Sequence, residues 1–498
     1  MEIAMEPVDD TIRTEENIDP QDWHAMRHLS HRMVDDMLDY LQGIREHPVW
    51  HPIPQADKDF LIQPLPLEPQ PVEEVYAEFL EHILPNPMGN IHPRFWGWVI
   101  GTGSPTGVMA EMLAATMNPN MGGADHIANY VEKQVIEWLR EIVGLPEGTS
   151  GLLVSGGSVA NLVGLAVARS AKAGFDVRKE GLQCSNHCLT VYASVEAHSC
   201  IKKGVELLGI GSQSLRLIPV NDAYQIDLEA LQIAVQADRA EGRQPIMVVG
   251  NAGTVNTGAI DDLRALADFC QREDLWFHVD GAIGGVAGSS PTLKLLFAGM
   301  ERADSVAIDL HKWMYMPYEI GCAFVRDPQL HRNAFAETPE YLAHADRGLA
   351  GGTLWFSELG IQLSRGFRAL KAWMMIKEQG VHKYGRMMEQ NVAQVRYLTE
   401  RVDREPELER IAPVQLNIVC FRYNPGGKDE ESLNELNKEL LIRLHESGVA
   451  VPSYTTLKGK YALRVANTNQ RSRLEDFDIL VDEILRLGRL LTQEMKAA

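Results

Sequence analysis

Between residues 152 and 325 the chain keeps repeating one unit: a short, almost purely apolar run, a turn, and a stretch with helical spacing. No other feature restricts the fold as much. The apolar runs lie at 152–155, 189–193, 246–250, 275–279, 305–308 and 322–325, and helical patterns at 158–173, 198–208 and 261–273. This alternation predicts an α/β fold, a mostly parallel sheet with helices on both faces. The run Ile246-Met247-Val248-Val249 has no polar residue, as expected of a strand buried on both sides. Ligands of such sheets sit outside the C-terminal strand ends. The residues just after each run are therefore the candidates for chemistry.

The flanks read differently. Residues 23–44 place Met26, Leu29, Met33, Met37 and Leu41 on one helical side. A proline-rich, extended connector follows at 47–71, then a helix at 72–83. Near the C-terminus, strands at 416–423 and 461–466 alternate with helices at 432–447 and 474–495, an α+β pattern. With 498 residues the chain suits two or three structural units. The expected division is an N-terminal helical segment at 1–100, a large α/β domain at 101–390 and a small α+β domain at 391–498. The last boundary falls within the helical region 363–401.

Forty-seven basic residues against 68 acidic ones leave a net charge of −21, which disfavours nucleic acid and anionic membrane as partners. The first ten residues carry Glu2, Glu6, Asp9 and Asp10 and show no secretory pattern. The most apolar stretch, 152–171, contains Ser155, Gly156, Gly157, Ser158, Asn161 and Arg169, so it reads as strand, turn and helix rather than as a membrane span. Six cysteines in so long a chain make no disulfide framework, and a reducing, cytoplasmic setting is expected. Cys184, His187 and Cys188 lack a fourth metal ligand and the paired spacing of zinc sites, so no metal is expected.

Three segments carry the chemistry. In Ser155-Gly156-Gly157-Ser158 a strand ends in two glycines before a helix opens. Such a turn is either an ordinary connection or an anion cradle, with Ser158 capping the helix and donating its hydroxyl. In Trp276-Phe277-His278-Val279-Asp280-Gly281-Ala282 an apolar run leads into an acid. Asp280 either caps the next helix or pairs with a cationic ring nitrogen, as a pyridoxal cofactor requires. In Asp309-Leu310-His311-Lys312-Trp313 a lysine follows the run 305–308 and could form a Schiff base, its pKa lowered by burial. The three come in order at successive strand ends, each supplying part of one cofactor site. His198, after the run 189–193, could stack on one ring face and Ala282 on the other.

These motifs, with Ala160-Asn161, Ala197-His198 and Leu363-Ser364-Arg365-Gly366-Phe367-Arg368-Ala369-Leu370-Lys371, resemble the pyridoxal-dependent decarboxylases of aromatic amino acids, histidine and glutamate. The resemblance runs from about Trp23 to the C-terminus. It implies the aspartate-aminotransferase-like fold of PLP enzymes (fold type I) and a homodimer with sites at the interface, wrapped by the N-terminal segment. It also implies pyridoxal 5'-phosphate as cofactor. Lys312 would carry the cofactor, Asp280 would pair with the pyridine nitrogen, and His198 would stack on the ring. Gly157, Ser158, Asp309 and His311 would hold the phosphate. Asp309 stands where the animal enzymes usually have Asn, and an acid beside a phosphate is unfavourable unless only its backbone contributes. Val255 replaces a family threonine, so a cofactor hydrogen bond is either missing or supplied by Thr254. In the family a tyrosine on a mobile loop protonates the substrate carbon after CO2 leaves, and that position is Tyr341 here. Relatives with Phe there tend to make aldehydes using O2.

For the substrate, Trp96 and Trp98 either line the side-chain pocket or belong to the core. Thr102, Asn120 and Ser364 are further substrate-side candidates, Asn120 reaching in from the partner subunit. Polar Asn118 and Asn120 suggest a pocket wider or more polar than that of the aromatic-specific animal enzymes. The expected reaction is decarboxylation of an L-amino acid, an aromatic one first. The alternatives are a histidine, glutamate or aspartate substrate, an oxidative aldehyde synthase, an aminotransferase, and a non-catalytic scaffold with this fold.

Overall fold

The computed structural model describes residues 17–182, 188–337 and 345–497. They form two compact units, one of 17–47 with 54–85 and one of 48–53 with 86–497.

In the first unit the helix Trp23–Gly43 starts at Asp22, whose carboxylate accepts the N–H groups of His24 (2.8 Å) and Ala25 (3.0 Å). That satisfies two of the donors a helix start leaves open. The Tyr76 hydroxyl donates to Asp36 at 2.8 Å while the Arg32 guanidinium lies 5.0 Å from its ring. The helix expected at 72–83 is α-helical over Val72–Glu78 and widens to a π-turn over Phe79–Ile83.

The strands of the second unit are β1 (Phe95–Trp96), β2 (Ser150–Val154), β3 (Leu189–Ser194), β4 (Leu215–Ile218), β5 (Gln244–Asn251), β6 (Trp276–Gly281), β7 (Ser305–Asp309), β8 (Gly321–Val325), β9 (Leu408–Arg410), β10 (Ile418–Tyr423), β11 (Val451–Leu457) and β12 (Lys460–Ala466). Seven of them form one sheet in the order β2-β8-β7-β6-β5-β3-β4. The pairs among β3 to β7 are parallel, as expected, but β8 runs antiparallel to both its neighbours. The cause is length. Only residues 310–320 join β7 to β8, and a parallel crossover needs about a dozen residues or more. Every residue of β3, β6, β7 and β8 is buried, so the sheet is covered on both faces.

The second sheet has the order β1-β11-β12-β10-β9. It shares a core with the helices Glu430–Glu446 and Leu474–Ala497, built from Phe421, Leu463, Leu440, Phe477 and Ile484. This is the α+β pattern read from the sequence, with β1 added by parallel pairing of Phe95 with Val451.

Candidate active site

The large sheet brings the expected segments to one edge by register. Val154 at the end of β2 pairs with Gly321, and Gly321 pairs with Asp309 at the end of β7. Ala307 of β7 pairs with Asp280 of β6, and Asp280 pairs with Asn251 of β5. Because β8 is antiparallel, its start meets the ends of its neighbours, and the short β7–β8 connection holds Lys312 at that same edge. A cavity of about 410 Å³ opens there, walled by Gly156, Gly157, Ser158, His198, Asp280, Ala282, Asp309, His311 and Lys312.

The glycine turn is a cradle because nothing larger fits. A Cβ on Gly157 would lie 2.7 Å from Asp309 Oδ2 and 3.1 Å from the Ala282 methyl, and one on Gly156 would lie 2.9 Å from the His311 ring. The helix Gly157–Lys172 is capped by Gly156, with no side-chain cap, so the expected capping role of Ser158 is corrected. Ser158 sits one residue inside the first turn, and Gly157, Ser158 and Val159 of that turn line the cavity, where a helix start favours an anion. The end of β2 is held by Arg365, which pairs with buried Glu132 and donates to the carbonyls of Leu153 (2.7 Å) and Met121 (2.6 Å).

Asp280 accepts the Ala282 N–H at 3.1 Å through Oδ1, which fixes a buried carboxylate at the cavity wall. His198 caps the helix Ser199–Leu207, its Nδ1 accepting the Cys200 N–H at 3.2 Å. That bond leaves the proton on Nε2. Burial lowers the His198 pKa, opposed by the charge of Asp280. His311 accepts the Ile320 N–H through Nδ1 at 3.2 Å, and its Nε2–H lies 3.8 Å from Asp309 Oδ1. Burial lowers its pKa as well. Lys312 Nζ lies 2.9 Å from Asp309 Oδ2. The expectation that burial lowers its pKa is reversed: desolvation acts in that direction, but Asp309 and then Asp280 outweigh it, and the ammonium is held above its ordinary value.

Residues 54–424 match the pyridoxal-dependent decarboxylase conserved domain. The chain belongs to that family. It is 33% identical to the aromatic-L-amino-acid decarboxylase of Bacillus atrophaeus over 91% of this chain and 93% of that protein. It is 28% identical to a phenylacetaldehyde synthase of Petunia hybrida, covering 91% and 92% of the two. The crystal structure of Oryza sativa TDC with PLP and tryptamine superposes with a TM-score of 0.88 at 26% identity, covering 95% of this chain and all of that one. The fold is therefore fold type I, the cofactor pyridoxal 5'-phosphate, and the protein a PLP-dependent carboxy-lyase.

The site of this decarboxylase fits its cofactor. A cradle that a Cβ would fill lies beside open helix N–H groups and the Nε2–H of His311, a buried carboxylate ends β6, and one lysine faces both. Substituting Gly157→Ala is expected to weaken cofactor binding by about 1–3 kcal/mol through overpacking against Asp309, read as the midpoint of a cofactor titration of the apoprotein.

A layer beneath the cradle fixes it. Trp276 Nε1 donates to Ser305 Oγ (2.7 Å), leaving the serine proton for His278 Nδ1 (2.7 Å), and His278 Nε2–H donates to Asn161 Oδ1 (2.7 Å). Asn161 in turn donates to the Gly157 carbonyl at 2.8 Å. Burial pushes the His278 pKa down to about 3 and that of buried His331 to about 4. Both stay neutral when folded and gain a proton only on unfolding once the pH drops below their ordinary 6.5. Their stabilisation is complete above that pH and is lost as the pH falls towards the folded values. Each is expected to contribute a slope approaching about 1.4 kcal/mol per pH unit, His278 between about 6 and 4 and His331 between about 6 and 5. Chemical denaturation of His278→Asn against the parent at several pH values checks this, and a variant with an unchanged slope would contradict it.

Not every expected residue reaches the cavity. Trp98, half-exposed, lines it, whereas Trp96 is buried in the small-sheet core, stacked on Phe477 at 4.7 Å and donating to Ser472. Thr102 is buried and bonds Gln470. Thr254 turns its hydroxyl to Thr257 (3.1 Å) and the Ala259 N–H (3.1 Å), while its neighbours Gly253 and Val255 line the cavity. Asn120 and Ser364 are exposed. Tyr341 lies outside the described residues, as do Cys184 and His187. Cavity residues not singled out from the sequence include Asn251, Cys200, Ile283 and Tyr318. Tyr318 packs its ring on His311 at 4.4 Å. Only Asn251 carried a usable signal, as the residue just after the apolar run 246–250.

Proposed function

We propose that this enzyme removes the carboxylate of an aromatic L-amino acid as CO2 and releases the corresponding amine. The observation that carries this reading is the convergence of Lys312, Asp280, His198 and the Gly156–Gly157 cradle on one cavity whose mixed remaining wall includes the apolar Trp98, Val99, Val255 and Ile283 beside the polar Asn161, Asn251 and Glu319. Such a wall suits an aromatic side chain. The aromatic-L-amino-acid decarboxylase at 33% identity supports the same substrate class.

The cofactor, when bound, supplies an electron sink for the pair left behind as CO2 departs. The protein supplies position and protons. Gly157, Ser158 and His311 would hold the phosphate with N–H and O–H donors, and Asp280 would keep a proton on the ring nitrogen by its charge. His198 and Ala282 would confine the ring between them. Lys312 would hold the cofactor's aldehyde carbon between turnovers and carry protons at Nζ. Tyr341 would deliver the proton to the substrate carbon.

The phenylacetaldehyde synthase among the relatives makes Tyr341 the residue to test for reaction type. Tyr341→Phe is expected to lower amine yield at least tenfold and to divert product to aldehyde with O2 uptake and peroxide. A variant that still makes amine at the parental rate would remove Tyr341 from the mechanism.

A homodimer is part of the proposal. The connector of the first unit exposes Leu61, Ile62, Leu65 and Leu67, an apolar run that calls for cover. Asn120 and Ser364, exposed on one chain, would complete a neighbouring subunit's site. No helix among the described residues is long and apolar enough to cross a membrane. A cytoplasmic setting is also part of the proposal, and the five described cysteines, all free thiols, suit a reducing compartment. Sedimentation of the purified protein measures the mass directly. Incubation with L-tryptophan, L-tyrosine, L-phenylalanine, L-histidine and L-glutamate, with amine quantified, tests the substrate class.

A further inference from the structure

Asp309 is an acid placed where an anion is to be held. Its side chain is 2% exposed, and Oδ1, among the described residues, has no hydrogen-bond partner. Both oxygens face the cradle: Oδ2 lies 2.7 Å from where a Cβ of Gly157 would stand, and Oδ1 3.4 Å from that of Gly156. Oδ2 is paired with Lys312 Nζ at 2.9 Å, the same nitrogen that must leave this pairing to hold the cofactor. A phosphate monoester is largely dianionic above pH of about 6. An anionic phosphate oxygen brought against this buried carboxylate is repelled, and one proton between the two converts the repulsion into a charge-assisted hydrogen bond.

We propose that the cradle holds the cofactor phosphate with one proton shared between Asp309 and a phosphate oxygen, taken up from solvent as the cofactor binds. The proton forms an O–H bond on one partner and a hydrogen bond to the other, and no other bond changes. The inference rests on the reading of Gly156–Gly157 as the phosphate cradle. The helix at the cradle brings backbone N–H groups and the Ser158 hydroxyl, none of which titrates between about pH 7 and 8.5. The other titratable groups facing Asp309 are His311, Lys312, His198, Cys200 and Tyr318, with Asp280 across Lys312. Burial lowers both histidines, and Lys312, Cys200 and Tyr318 are raised, so none of these five changes charge between about pH 7 and 8.5.

The test is a titration of apoprotein with pyridoxal phosphate at pH 7.0, 7.75 and 8.5, followed by the absorbance of the bound cofactor, with pyridoxal lacking the phosphate as the control ligand. The dissociation constant of the parent is expected to rise about tenfold per pH unit beyond the slope seen with pyridoxal, as uptake of one proton requires. In Asp309→Asn, whose amide N–H donates a hydrogen bond without taking up a proton from solvent, that excess slope is expected to vanish and binding at pH 8.5 to tighten. The ³¹P resonance of the parent holoprotein at pH 7.5, which needs no variant, is expected at the monoanion position. A dianion resonance, or an excess slope of zero in the parent, overturns the shared proton while leaving the decarboxylase reading intact. Failure of the parent to bind pyridoxal phosphate at all would overturn both.

Discussion

Lys312→Ala is expected to cut CO2 release by about 10³-fold or more, since it removes both the covalent hold on the cofactor and the nearest proton carrier. The absorbance of the lysine-bound cofactor should disappear with it. The substitution also strips Asp309 of its cation, which sits 2.9 Å away. An unpaired buried charge costs about 3–5 kcal/mol, so the apoprotein should lose stability too. The double variant Lys312→Ala/Asp309→Asn separates the two effects. It is expected to recover thermal stability and to stay inactive, because the amide needs no cation but supplies no amine. Recovery of turnover in the double variant would place the essential amine elsewhere.

Asp280→Asn is expected to lower kcat by about 10²–10³-fold at saturating cofactor, the range found when one preorganised charge-stabilising group is removed. The substitution is chosen for geometry. Asp280 Oδ1 accepts the Ala282 N–H at 3.1 Å, and an asparagine oxygen can keep that bond. What changes is the charge facing the ring nitrogen, so cofactor binding should fall far less than kcat. Steady-state kinetics at a cofactor concentration shown to saturate the variant decide the matter. A kcat within threefold of the parent would mean that the carboxylate is only a structural end to β6.

The sheet was legible because its strands are continuous apolar runs, and a run such as Met247–Val249 has one stable place, inside. The order of the chemical motifs was legible for the same reason, each lying just after such a run. Strands that alternate or are short were not read. In Val451–Leu457 Ser453 and Thr455 face inward while Tyr454 and Thr456 are exposed, and Phe95–Trp96 is a strand only by pairing with it. The antiparallel turn of β8 depends on the length of a connection whose neighbours were unknown. Within the site, Lys312, Asp280 and His198 could be placed from their strand ends. The reversal of the Lys312 pKa could not, because it needs the 2.9 Å distance to Asp309, a pairing i to i+3 in sequence but set by the short helix Leu310–Trp313. Trp96 and Trp98 show the same limit. Two residues apart in one motif, one enters the small-sheet core and the other, in a left-handed conformation at φ 50°, turns to the cavity.

The most direct test of the central claim is to supply the purified, cofactor-loaded protein with a panel of L-amino acids and to measure CO2, amine and peroxide together. The account predicts CO2 and amine in equal amounts from an aromatic L-amino acid, with no peroxide. CO2 accompanied by aldehyde and peroxide would contradict simple decarboxylation, and no CO2 from any amino acid with the cofactor bound would contradict decarboxylation altogether.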